Sequence, residues 1–197
     1  MKPDDVISVF MKAEILKNLQ RTGWATAGVH ASAVESVAEH SYGTTFISLI
    51  LGSLLKNEGI EVDLEKTLTM AVLHDLGECV VSDIPSSSYT ADSDSFGIAK
   101  AALEERAIAS ILSPLGDIGV SLQSCWVELQ KGTSMEARIV RSSDILDMLV
   151  HAIALEKSGV DAKLLHGFFE SIQRKLNDAG IGLAIALYSL LETMRMK

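Results

Sequence analysis

Thr67-Leu68-Thr69-Met70-Ala71-Val72-Leu73-His74-Asp75-Leu76-Gly77-Glu78 is the stretch whose reading decides the fold. Its first two turns are apolar almost all round, as in a helix that crosses the middle of a core. His, Asp and Glu then arrive together at the C-terminal end. Taken as part of one helix over 63–78, the stretch puts His74 and Glu78 on one face and turns Asp75 away from His74 by about 100°. A buried carboxylate beside an imidazole is costly unless something compensates, and a divalent cation compensates both. The dipeptide alone also admits a plainer reading, a carboxylate that merely orients an imidazole.

Outward from this stretch the chain reads as helix throughout. No segment sustains a period-two alternation, and only three prolines occur, at positions 3, 85 and 114. Stretches of 3.6-residue period, separated by Gly, Ser and Asp clusters, predict helices over 4–20, 34–57, 63–78, 94–113, 119–130, 134–157, 161–178 and 181–195. Ser36-Val37-Ala38-Glu39 and Thr133-Ser134-Met135-Glu136 have capping-box spacing, Asp63 is a natural N-cap, and Gly59 and Gly77 read as helix stops. The polar segment from Ser86 to Ser95 reads as a loop, either a flap near the site or ordinary surface. With no repeat and no linker, the expectation is an all-α bundle forming one domain over 1–197.

Composition narrows the function classes. The 197 residues are 48% hydrophobic but only 5% aromatic, so aliphatic side chains must fill the core. A net charge of -9 argues against affinity for nucleic acid polymers. It leaves room for one phosphate in a pocket where a metal ion supplies positive charge. Two cysteines, Cys79 and Cys125, make no disulfide framework, and the acidic N-terminus lacks a secretory signal's apolar run; a reduced cytoplasmic setting is expected. The longest apolar stretch, Gly180 to Leu191, is too short to span a bilayer. A mean hydropathy of +0.27 suggests apolar surface to spare, which a homodimer would cover.

Two further segments bear on His74-Asp75. In Glu35-Ser36-Val37-Ala38-Glu39-His40-Ser41, His40 stands near the start of a long amphipathic helix, as a core residue or as a ligand. In Ala137 to Leu149, helical spacing puts Val140, Asp144, Met148 and His151 on one side, so Asp144 lies in a largely apolar stripe and needs a counter-charge. Asp147 reads as the exposed carboxylate that does not. Two histidines and two aspartates on three helices give mixed N/O ligation with positions left open, a catalytic rather than a closed structural arrangement.

The ordered set of His40, His74-Asp75 and Asp144 resembles the HD-domain superfamily of metal-dependent phosphohydrolases. Arg21-Thr22-Gly23-Trp24, Glu35 to Ser41, His74 to Glu78 and Asp83-Ile84-Pro85 together look like its 5′-deoxynucleotidase group, with Trp126-Val127-Glu128 and Ala137-Arg138 in similar places. The resemblance covers roughly residues 15–155; the helices over 161–195 would complete the bundle. It implies that His40, His74, Asp75 and Asp144 hold one divalent cation (Mn, Co, Zn, Fe or Mg), and that Glu78 and Asp83 position and activate water. Arg21 would grip the phosphate, and Trp24 would pack near the sugar and favour a 2′-deoxy substrate. The implied reaction is hydrolysis of a deoxynucleoside 5′-monophosphate to deoxynucleoside and phosphate.

Physical chemistry supports the roles separately. A guanidinium matches phosphate with two parallel hydrogen bonds, an acidic residue beside water takes its proton, and Gly23 would let the backbone turn so that Arg21 and Trp24 face one pocket. Without the pattern, Arg21 reads as a surface arginine and Trp24 as a core anchor. The chain also departs from the group. Ser82 stands where a Gly is common, Ile145 where a Lys is common, and Asp147 where a Glu is usual. Losing that lysine's charge would alter phosphate affinity or base preference. His30 reads as surface, His151 as core or as a support for the ligands, and Cys79 as packing. The alternatives are the same site acting on another nucleotide or small phosphate ester, and a non-catalytic nucleotide-binding module, which would be free to lose Glu78 or Asp83.

Overall fold

The computed structural model describes residues 2–84, 93–170 and 172–195. Within them the chain is helical, without a strand. The helices are α1 (Pro3–Glu14), α2 (Thr22–Thr26), α3 (Val37–Asn57), α4 (Leu64–Leu73), α5 (Glu78–Val81), α6 (Ser93–Leu112), α7 (Asp117–Lys131), α8 (Met135–Lys157), α9 (Ala162–Glu170), α10 (Ile172–Ala179) and α11 (Gly182–Arg195). The expected loop over 86–95 lies outside the described residues as far as 92, and from Ser93 the chain is already helical.

Local chemistry explains the starts. Pro3 occupies the first turn of α1, with Asp4 and Asp5 beside the helix's positive end. Ser36 and Glu39 close the expected capping box: Glu39 N donates to Ser36 Oγ at 3.2 Å and Ser36 N to Glu39 Oε2 at 2.7 Å. Asp63 caps α4 by accepting from Lys66 N. The second expected box does not form. Ser134, not Thr133, is the cap of α8, and Glu136 instead accepts from Asp63 N at 3.1 Å, tying α8 to the start of α4.

At the centre, α3 packs along α8 and α4, and α4 also meets α7 and α8. Thr44, Ser48 and Gly52 repeat every four residues on a buried face of α3. At Gly52 an added Cβ would lie 2.8 Å from Leu64 Cδ2, so the small residue lets α3 and α4 approach closely. Leu51, Ile139, Leu149, Leu165 and Ile172 fill a core between α3, α8 and the C-terminal helices, and Leu73, Ile108, Ile111 and Trp126 fill a second beneath α1, α6 and α7. Met70 and Ala71, fully buried, form a third, smaller cluster with Leu129, Ala137 and Val140.

Two further expectations fail. The helix over 4–20 ends at Glu14, passes through a 3₁₀ turn (Ile15–Lys17), and is followed by the unexpected short α2. The helix over 63–78 stops at Leu73, so His74 and Asp75 stand on a turn between α4 and α5. No described helix is long and apolar enough to cross a membrane.

Candidate active site

The turn at His74-Asp75 has a chemical cause. Ala71 O accepts from His74 Nδ1 at 2.7 Å, and His74 O accepts from Trp126 Nε1 at 3.3 Å. Side chains thus compete for carbonyls that a continuing α-helix would use. The backbone answers with i→i−3 bonds, Leu76 N to Leu73 O, Glu78 N to Asp75 O and Cys79 N to Leu76 O. In that tighter winding residues three apart eclipse, so Glu78 lines up with Asp75, not with His74 as the helix reading had it. Gly77 is no left-handed stop either: its backbone is right-handed, and an added Cβ would make only ordinary contact with α6.

α3 brings His40 to this turn. His40, His74 and Asp75 have ligand atoms all within 4.8 Å of one another. His74 Nε2 is 3.1 Å from Asp75 Oδ2, and His40 Nε2 is 3.7 Å from the same oxygen and 3.1 Å from Asp144 Oδ1. Neither Nε2 is aligned for a hydrogen bond, and both are buried. Each imidazole spends its other nitrogen elsewhere: His40 Nδ1 on Asp147 Oδ2 at 2.8 Å, His74 Nδ1 on Ala71 O. Two Nε2 lone pairs and the Asp75 carboxylate converging on one point suit a shared cation, Asp144 lies outside that group and reaches it only at His40, and the Nδ1 contacts fix the tautomer that ligation needs.

The electrostatics agree. Burial opposes charge on His40, and so does Arg21, yet Asp144 and Asp147 raise it to about 10. Burial, then Asp75 and Asp83, push Glu78 up to about 10 against Arg21 and Lys100. Asp75 is held well below the usual carboxylate range: burial works upward, but His74, Arg21 and His40 outweigh it. Asp144 is lowered as well, His40 overcoming burial. A pocket that retains protons on both His40 and Glu78 is short of positive charge, which a divalent ion would supply.

Arg21 caps α2 and reaches into the same cluster. Its Nη1 lies 3.2 Å from Asp75 Oδ2, 3.3 Å from Asp83 Oδ1 and 3.9 Å from Glu78 Oε1. Asp83 is engaged at both oxygens, the other accepting from Thr22 N at 2.5 Å. The 20–37 hairpin is pinned by Arg21 N to Glu35 O and Val37 N to Leu19 O. Gly23 sits inside α2 without special backbone geometry, contrary to the turn expected of it; what it offers is a flat seat for Phe168. Trp24 is only 2% exposed. Its Nε1 donates to Glu35 Oε1 at 2.9 Å, and its ring lies between His151 and Phe168.

Arg21, Asp75, Glu78, Asp83 and Asp144 share the lining of a cavity of about 480 Å³ with Trp24, Met148, Leu164 and Phe168. A second of about 210 Å³ shares Asp75, Glu78, Lys100 and Asp144 and adds Glu104 and Arg141. Phosphate chemistry at the carboxylates with an organic group along the apolar wall is what such a space accommodates.

A family model described as an HD domain matches residues 13–180. The chain belongs to the HD-domain family. Among its relatives, the 5′-deoxynucleotidase HDDC2 of Dictyostelium discoideum is 33% identical over 82% of this chain and 85% of that one. HDDC2 of Homo sapiens, also named a 5′-deoxynucleotidase, is 28% identical over 91% and 81%. The crystal structure of the PH0347 protein from Pyrococcus horikoshii OT3 superposes with a TM-score of 0.76 at 29% identity, covering 96% of this chain and 98% of that one. The HD family is metal-dependent, and the His/Asp cluster of this HD-domain chain is a possible metal site.

The departures acquire physical content. Ser82 adopts φ 66°, ψ 164°, the one positive-φ residue other than glycine among those described. Ile145 is buried in the main core and lines neither cavity. Asp147 is not the exposed carboxylate expected: it is mostly buried and holds His40, while the Asp144 side chain is 43% exposed. Gly43 went unread. An added Cβ there would lie 1.9 Å from Asp147 Oδ1, so glycine one turn after His40 clears the space for its orienting carboxylate. His151 Nδ1 is 3.6 Å from Glu35 Oε2, supporting Trp24. His30 is exposed, and burial raises the Cys79 thiol, consistent with packing.

Proposed function

We propose that the chain is a metal-dependent 5′-deoxynucleotidase, hydrolysing deoxynucleoside 5′-monophosphates to deoxynucleoside and phosphate. The observation that carries this reading is the convergence of two buried Nε2 atoms without a hydrogen bond on Asp75, beside Arg21 and Glu78, with Asp144 next to His40. One divalent cation would be held by His40, His74, Asp75 and Asp144; when bound it lowers the pKa of water and draws charge from the phosphoryl oxygens. Arg21 would meet the phosphate, its orientation supported by the hydrogen bond to Asp83. With a bound cation offsetting the negative charge that holds its proton, Glu78, whose buried Oε2 has no hydrogen bond, would take the proton that leaves the attacking water and return it to O5′ as the P–O5′ bond breaks. Trp24, locked by Glu35, would form the wall beside the sugar. The C-terminal helices belong to the same unit, since they share its core.

The test is phosphate release across deoxy- and ribonucleotides after chelation, with Mn²⁺, Co²⁺, Zn²⁺ or Mg²⁺ restored singly. Release from deoxynucleoside 5′-monophosphates with at least one metal is expected; none from any nucleotide would sink the reading. We also propose a homodimer formed through the uncharged outer face of α3, and a reducing cytoplasmic setting, which both free cysteines suit.

A further inference from the structure

We infer that the C-terminal helices α9 and α10 carry the subsite for the nucleobase, with Phe168 as the surface on which it stacks and Lys175 as its polar contact. This rests on the nucleotide reading above. Helix α9 has two faces at i,i+4 spacing. Leu165 and Phe169 enter the core, where the Arg195 guanidinium lies 4.0 Å from the Phe169 ring and fixes the helix. Leu164 and Phe168, one position earlier in each pair, line the large cavity instead.

Trp24 cannot offer its own ring to a ligand's base. It is 2% exposed, and Phe168 lies over it with ring centroids 4.2 Å apart. Phe168 is half-buried on the cavity side of that stack, resting over Gly23, and so is the aromatic the cavity presents. A rigid aromatic already held by a second ring loses little freedom on stacking. Asp75, Glu78 and Asp83 gather about Arg21, whereas Trp24 and Phe168 stack on each other in the same lining, so a nucleotide whose phosphate lies among the carboxylates would turn its base to that stack.

The cavity has three basic residues, Arg21, Lys100 and Lys175. Arg21 is engaged by three carboxylates, and Lys100 donates to Ile84 O at 2.7 Å beside Glu104 at 3.4 Å. Lys175 stands on α10, exposed at the rim, and has no hydrogen-bond or ion-pair partner among the described residues. An ammonium is a donor only, and every nucleobase offers ring-nitrogen or keto acceptors at its edge.

The experiment compares deoxynucleoside 5′-monophosphates with 2-deoxyribose 5-phosphate, which keeps the sugar and phosphate but lacks the base. Wild type, Phe168→Leu and Lys175→Met would be assayed for kcat/KM on both, and for inhibition by the free deoxynucleoside. Each variant should lose about tenfold in kcat/KM on nucleotides and weaken nucleoside inhibition similarly, mainly through KM, while the abasic ester changes less than about twofold. Phe168→Leu keeps the apolar bulk, and thermal melting of each variant checks the fold. Equal losses on both ester types would place Lys175 at the phosphate and overturn the inference, as would unchanged nucleotide kinetics. A wild type that cleaves the abasic ester but no nucleotide would overturn the nucleotide reading itself, and the inference with it.

Discussion

At the scale of single residues the site depends on two positions that carry no chemistry of their own. Ser82 sits at φ 66°, ψ 164°, a region that glycine alone enters freely and that costs other residues about 1–3 kcal/mol. It immediately precedes Asp83, whose carboxylate organises Arg21 and Thr22. Ser82→Gly should relieve the strain, less about 1 kcal/mol for glycine's greater freedom when unfolded. A rise in Tm with activity retained is expected in thermal melts, and a fall would show that Ser82 is not strained. Gly43 behaves oppositely. Glycine to alanine inside a helix ordinarily stabilises by about 1 kcal/mol. Here the methyl would strike Asp147 and displace the carboxylate from His40 Nδ1. Gly43→Ala should therefore weaken metal affinity by about 10–100-fold, as losses of such orienting partners do. Metal content by mass spectrometry after dialysis measures it, and full retention would overturn the assignment.

At the scale of elements, the turn between α4 and α5 shows what the sequence revealed and what it withheld. The apolar run to Leu73 announced a buried helix, and His74, Asp75 and Glu78 announced a site at its end. The break between them was illegible, because it depends on Trp126, some fifty residues onward, whose indole takes the His74 carbonyl. Local pattern registers residues one turn apart, not a donor arriving from another helix. For the same reason Asp147 was misread. Its spacing on α8 gave no sign that α3 would present His40 and a bare Gly43 to it, whereas the capping box at Ser36 and Glu39, wholly local, is as expected. Trp126→Phe tests the account of the turn. Removing the Nε1 donor while keeping the aromatic bulk should cost about 1 kcal/mol of stability and let Asp75 and Glu78 drift out of register. The expected result is a lower kcat with KM little changed, and unaltered kcat would mean that the turn holds without the indole.

For the whole molecule the outstanding physical problem is α3, which builds the centre on one face and leaves the other apolar and open. Tyr42 is 74% exposed and Phe46 53%, and Leu49, Ile50 and Leu54 continue the stripe at helical spacing. From Ser41 to Leu55 the helix carries no charged residue at all. A contiguous uncharged face of this kind calls for a cover, and a second copy meeting it about a twofold axis is the self-complementary solution. Phe46→Glu would then place two carboxylates at the pairing face, and on this proposal sedimentation velocity should find a dimer for the unaltered chain and a monomer for the variant. Activity should survive, since no residue of α3 lines either cavity. The net charge of -9 on each copy adds a signature that a hydrophobic contact alone would share only weakly. Like-charged copies repel over the Debye length, about 10 Å at 0.1 M salt. Raising ionic strength should therefore tighten the dimer, and an unaltered chain that stays monomeric at every salt concentration would leave the α3 face to some other partner.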